Sequence, residues 1–138
     1  MTGGTYTLVV ALSAPATIAF GAAGERDLAA GWYAYTGSAL GAGGFARVDR
    51  HRDLARGERE VRHWHVDYLL CHPESAVESV VRSAGVDVEC AVARDLAARL
   101  DPVAGLGASD CDCSTHLAGG SDRGRVHEAV RRSHERAR

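Results

Sequence analysis

The stretch that most limits what this chain can fold into is Gly31-Trp-Tyr-Ala-Tyr-Thr-Gly-Ser38. Aromatic residues at this density suit a β-strand. Alternation along it places Tyr33 and Tyr35 on one face and Trp32 and Ala34 on the other. Gly37 allows a backbone geometry or a close approach that a larger residue would resist. A glycine-rich turn follows, and from Phe45 the composition becomes helical, with Arg47, Arg50 and His51 on the first turns. Such a strand, turn and helix sets two phenols beside several cations, which is the chemistry a phosphodiester site needs.

The remaining elements follow the same kind of reading. Residues 5–12 are apolar and β-branched and predict a strand; residues 17–20 predict a short second strand and 27–30 its return leg. With residues 32–36 these make a small antiparallel sheet. Residues 45–56 predict a helix whose stripe is Phe45, Val48 and Arg52 or Ala55, leaving Arg47, Arg50 and His51 towards another surface. Residues 63–71 read as a short helix in which His63 and Asp67 pair at i,i+4, with a strand carrying His65 and Asp67 on one face as the alternative. Residues 76–83 alternate as a strand. Residues 87–100 form the strongest helix, with Val88, Val92 and Leu96 at helical spacing and Asp87 as its cap. The fold class is therefore α+β, a small antiparallel sheet packed with helices. The domain spans residues 1–118, and residues 119–138 read as a polar, Arg-rich tail, either a weak helix or mobile.

Charge bears on partners. The chain of 138 residues carries a formal net charge of -2 and contains no lysine, so each of its 16 basic side chains is an arginine. Residues 1–118 hold ten arginines against fifteen acidic residues, whereas residues 119–138 hold six against three. Nucleic-acid binding would thus need a local positive patch rather than a basic protein overall. No stretch approaches the length of apolar sequence that spans a bilayer, and no leader is evident, so a cytoplasmic location is expected, without membrane. There, Cys71, Cys90, Cys111 and Cys113 read as thiols or metal ligands rather than disulfide partners.

In order, Gly4-Thr5-Tyr6, Tyr35-Thr36-Gly37, Arg47 with His51 four residues later, residues 63–70 (HWHVDYLL) and residues 107–117 (GASDCDCSTHL) resemble the GIY-YIG endonuclease superfamily. The resemblance is closer to its little-characterised archaeal branch, which also occurs fused to DNA-repair enzymes. It covers about residues 3–118, and the interval between the two short motifs is longer than in the typical nuclease. It implies a GIY-YIG-like fold and hydrolysis of DNA by motif tyrosines, a helical arginine and a glutamate holding one Mg²⁺ or Mn²⁺. Glu89 matches that glutamate, with Asp95 as the alternative in another register. The implied substrate is DNA, structured or damaged.

On chemical grounds Tyr6, Tyr33 or Tyr35 could orient or deprotonate water, Arg47 could donate to phosphoryl oxygens, and Glu89 could hold the metal. His51 completes this catalytic set, and Gly37, Ser38, Arg50, His63 and His65 form the candidate nucleic-acid surface. His63, His65 and Asp67 offer acid/base chemistry that His51 could join in space. Cys111, Cys113 and His116 suit a separate structural Zn²⁺, with Cys90, His63 or His65 as fourth ligand. Two other readings remain open. One is a non-catalytic nucleic-acid-binding module using the same cleft. The other is a structural or protein-interaction domain stabilised at the Cys/His loop.

Overall fold

The structure, a computed structural model, describes residues 3–40, 44–56, 65–106 and 115–137. Strand β1 (Gly4–Leu12) is the hub, pairing antiparallel with β4 (Gly31–Ser38) on one side and β5 (Ser75–Ala84) on the other. Strand β7 (Leu117–Gly120) adds to β4 and the two-residue β6 (Asp101–Pro102) adds to β7, giving the antiparallel order β5-β1-β4-β7-β6. Between β1 and β4 the chain forms a separate hairpin of β2 (Ala16–Ala19) and β3 (Glu25–Leu28). The expected α+β class, with a small antiparallel sheet carrying helices, is what the chain adopts.

Alternation along β1 divides the interior in two. Tyr6, Leu8, Val10 and Leu12 face one side, where they pack with Tyr33, Tyr35, the hairpin, α1 (Ala46–Ala55) and α2 (His65–Leu70). Val9 and Ala34 face the other, beneath α3 (Glu89–Arg99) and α4 (Arg123–Ala137). Both cores are apolar and buried, so each sheet face is held by its own pair of helices.

Of the two alternatives for residues 119–138 the chain takes the helix, α4, and it is a packed one rather than a loose polar tail. Its Val126, Val130, Ser133 and His134 recur at i, i+4, i+7 and i+8 and are all buried. Asp122 caps its start by accepting the Arg125 N–H at 3.1 Å. The sequence hid this helix because only two of its four inward residues are apolar. The other two are satisfied by hydrogen bonds instead. His134 lies between two hydroxyls, Thr7 and Ser83, each 2.8 Å from a ring nitrogen, and Thr7 also meets Thr36 at 2.9 Å. Asp95 receives Ser133 at 2.6 Å, Arg136 at 2.7 Å and Arg99 at 2.9 Å, tying α3 to α4.

Two smaller expectations also change. Asp87 does not cap α3; Val88 occupies the cap position without a side-chain bond, and its N–H is accepted by the Thr5 hydroxyl at 2.9 Å. Residues 119 and 120, expected as the start of the tail, instead continue the sheet through β7. Both are glycines, which masked their strand potential. Gly119 lies opposite Tyr33 in register, and a methyl group there would come within 2.5 Å of its ring. The aromatic ring covers the glycine and takes the space a side chain would need.

Candidate functional site

The first site residue is placed by strand pairing. Tyr6 stands opposite Gly37 in the β1–β4 register, and Tyr35 lies on the same face two residues before Gly37. A β-carbon on Gly37 would fall 2.6 Å from the Tyr6 hydroxyl oxygen and 3.2 Å from the Tyr35 ring. The glycine is thus required by the close approach of two phenol rings rather than by a left-handed backbone. Gly37→Ala is expected to displace the Tyr6 ring and cost about 1–3 kcal/mol, as overpacking does. A urea melt reads it, and an unchanged midpoint would show that the phenol moves aside freely.

Helix α1 brings the next group. Its buried residues are Val48, His51 and Leu54, so His51 shares the inward face with Val48 instead of turning to another surface with Arg47 and Arg50. The sequence stripe failed because a histidine takes an inward position that apolar counting does not credit. Inside, His51 meets Tyr6 and Asp67. Its Nδ1 lies 3.1 Å from Asp67 Oδ1, and its Nε2 lies 2.8 Å from the Tyr6 hydroxyl. The Asp67 carboxylate can only accept, so Nδ1–H donates to it and the lone pair of Nε2 accepts the Tyr6 O–H. His51 and Asp67 are fully buried and Tyr6 is 1% exposed. Sequence spacing had paired Asp67 with His63, which lies outside the described residues; the partner in space is His51. His65 begins α2, and its side chain also lies outside the described part.

Tyr35 sits edge-on to the His51 ring, with centroids 6.2 Å apart. Its ring is buried, yet its hydroxyl makes no hydrogen bond among the described residues and no enclosed polar side-chain atom there lacks a partner. Tyr35 is therefore enclosed beside His51 without a bond to it, while the Tyr6 hydroxyl is held by His51. Burial raises the pKa of both phenols well above its ordinary value, the Glu89 and Asp67 carboxylates push in the same direction, and Arg47 opposes them. Both phenols are protonated at neutral pH.

Arg47 and Glu89 close the group. An Arg47 N–H donates to the Ser38 carbonyl, which folds the guanidinium back over the end of β4. Glu89 opens α3, whose start is fixed by the Thr5 hydroxyl donating to Val86 O at 3.1 Å and accepting from Val88 N. Its Oε2 lies 3.3 Å from His116 Nδ1, and the same Nδ1 is 3.0 Å from the Thr36 carbonyl. Since both neighbours are acceptors, Nδ1 carries the proton. The structure thus brings Tyr6, Tyr35, Arg47, His51, Asp67 and Glu89 into one neighbourhood. It places Asp95 on the α3–α4 contact, where the guanidinium of Arg136 and its other partners hold its carboxyl at about 2.

The sulfur-rich loop gives less. Cys111 and Cys113 lie outside the described residues, and His116 spends Nδ1 on Thr36 and Glu89. Cys90 is disulfide-bonded and Cys71 is a free thiol, which corrects the expectation of four thiols or ligands. A sulfur committed to a disulfide has no thiolate to offer zinc, so Cys90 is not its fourth ligand. Among the described residues no group of three or more His, Cys, Asp and Glu side chains could jointly hold a metal ion. Arg50 is half-buried on α1, Ser38 contributes only its carbonyl, and no described helix is long and apolar enough to cross a membrane.

What these elements define is an α+β domain with a buried Tyr–His–Asp hydrogen-bond chain under the edge of its central strands. Residues 5–138 match the family described as a domain of unknown function, DUF123, and the chain belongs to that family. No curated protein and no solved structure matches it.

Proposed function

We propose that this protein is a divalent-metal-dependent DNA endonuclease whose reactive centre is the Tyr6–His51–Asp67 chain with Tyr35, Arg47 and Glu89. The observation that carries the reading is that chain itself: a phenol, an imidazole and a carboxylate joined by bonds of 2.8 and 3.1 Å among buried side chains. The resemblance of Gly4-Thr5-Tyr6 and Tyr35-Thr36-Gly37 to the GIY-YIG motifs supports it.

A single carboxylate suits Mg²⁺ or Mn²⁺. Glu89 is 12% exposed, with one oxygen turned to His116, and Mg²⁺ keeps several waters while taking one or two carboxylates and substrate phosphate. When bound there, the ion would withdraw charge from the phosphoryl oxygens. The chain's own residues do the rest. A water held against the two phenols gives its proton to Tyr6 as the Tyr6 proton passes to His51 Nε2. The hydroxide so formed attacks phosphorus as the bond from phosphorus to the leaving sugar oxygen breaks, that alkoxide takes a proton from solvent water, and Asp67 balances the imidazolium until it returns its proton to solvent. Proton transfer along this line avoids a free tyrosinate, which the burial-raised pKa of Tyr6 disfavours. Arg47 donates to the non-bridging oxygens, and the Tyr35 hydroxyl orients the phosphodiester.

The test is cleavage of labelled single-stranded, duplex, flap and branched DNAs with Mg²⁺ or Mn²⁺, beside an EDTA control and Arg47→Ala. Metal-dependent strand scission, reduced roughly a hundredfold or more in Arg47→Ala, is expected for an arginine that stabilises developing charge. The enclosure of Tyr6 and His51 favours one second reading, a non-catalytic nucleic-acid-binding module. Binding without scission across the whole panel would establish that instead.

A further inference from the structure

Away from this centre, on the opposite face of the sheet, α3 and α4 enclose an open trough of about 830 Å³. Arg99, Arg125, Arg132 and Arg136 line it against two carboxylates, Asp122 and Glu128. Asp122 is occupied by the cap of α4, and Glu128 pairs with Arg132 at 2.8 Å. Arg99 and Arg136 share Asp95. Arg125 has no carboxylate partner among the described residues; its guanidinium reaches only the Arg99 carbonyl, at 3.4 Å. The trough thus has a surplus of guanidinium groups, in a chain that is acidic elsewhere.

The spacing says what kind of anion fits. Arg125, Arg132 and Arg136 stand at i, i+7 and i+11 on α4, which at 100° per residue puts them within about 20° of one line. They span about 16 Å of helix, a length over which one strand of a duplex presents about five phosphates. A small anion would use one end of such a row. The only apolar side chains in the trough are those of Ala98 and Ala129, so it offers none of the large anchors on which protein partners rely. Guanidinium forks in a row match a row of phosphodiesters, each able to accept two parallel N–H bonds.

We infer that the α3–α4 trough is a second polyanion site that binds the phosphate backbone of nucleic acid, independent of sequence and separate from the Tyr6 centre. It does not depend on cleavage. Helix α3 runs from Glu89 at the candidate active centre to Arg99 in the trough, about 15 Å away along its axis. A strand held in the trough is thus outside the reactive face.

The experiment is fluorescence anisotropy of the full chain with a labelled DNA of about 20 nucleotides, single-stranded or duplex, in EDTA between about 50 and 200 mM salt. Affinity should fall linearly with salt on logarithmic axes. The slope should lessen by about one in Arg125→Ala and about two in Arg125→Ala/Arg132→Ala, equally for different sequences. Arg125→Ala disturbs no carboxylate pair, so it decides the matter if the double variant melts early. Wild-type protein that cleaves no DNA with Mg²⁺ or Mn²⁺ yet keeps the slope would sink the nuclease reading alone. Slopes identical in wild type and Arg125→Ala would overturn the trough proposal. So would polyglutamate competing as well as DNA at equal charge, or inorganic polyphosphate binding where DNA does not.

Discussion

Tyr6→Phe is expected to lower the rate of strand scission about a hundred- to ten-thousand-fold, the range that one positioned proton-transfer group supplies. The change removes a hydroxyl and keeps the ring that packs against Gly37, so the fold should hold. His51→Ala should cost about as much, and the double variant little more than either alone, because a relay acts as one unit. Single-turnover kinetics at saturating DNA check this by isolating the chemical step from binding. Losses that multiply in the double variant would mean that Tyr6 and His51 act separately. Asp67→Asn keeps an acceptor near Nδ1 but loses the charge that balances the imidazolium. A smaller loss than in His51→Ala is the result that fits the proposed chain.

The largest effect on stability is expected at a residue remote from that chain. His134→Ala should reduce the free energy of unfolding by about 2–5 kcal/mol, combining a cavity with two buried hydroxyls that lose a partner. Domains of this size are stable by only about 5–15 kcal/mol, so the change is a large share of the total. Urea denaturation followed by circular dichroism measures it. His134→Gln, which keeps a donor and an acceptor, should recover part of the loss. An unchanged midpoint in His134→Ala would mean that Thr7 and Ser83 find new partners at no cost.

The sequence carried the sheet well and the second helical layer poorly. Strand β1, strand β4 and helix α3 announce themselves by unbroken apolar or alternating runs, and each lies close to where its pattern put it. Helix α4 and strand β7 do not, because they bury histidine, serine and glycine, whose inward position depends on partners more than 30 residues away. In the site, residue types were readable, and of the pairings only the approach of His51 to Asp67 was raised, without its geometry. Tyr6, Tyr35 and Arg47 were singled out by motif order, and Glu89 stands with them rather than with Asp95. The link from His51 to Asp67 crosses 16 positions and two helices, beyond any i,i+4 rule. Only the meeting of α1 and α2 over the sheet creates it.

The bond between Thr7 and His134 joins positions 127 residues apart. During synthesis β1 is made well before α4, the helix that covers one of its faces. Until His134 has left the ribosome, Val9 and Ala34 have only part of their cover, and the hydroxyl row of Thr7, Thr36 and Ser83 faces solvent. Contacts this distant close slowly because loop entropy is spent before they form. Native structure in this chain therefore waits for α4, and a nascent protein halted before residue 134 would hold Tyr6 on a sheet with one face only partly covered.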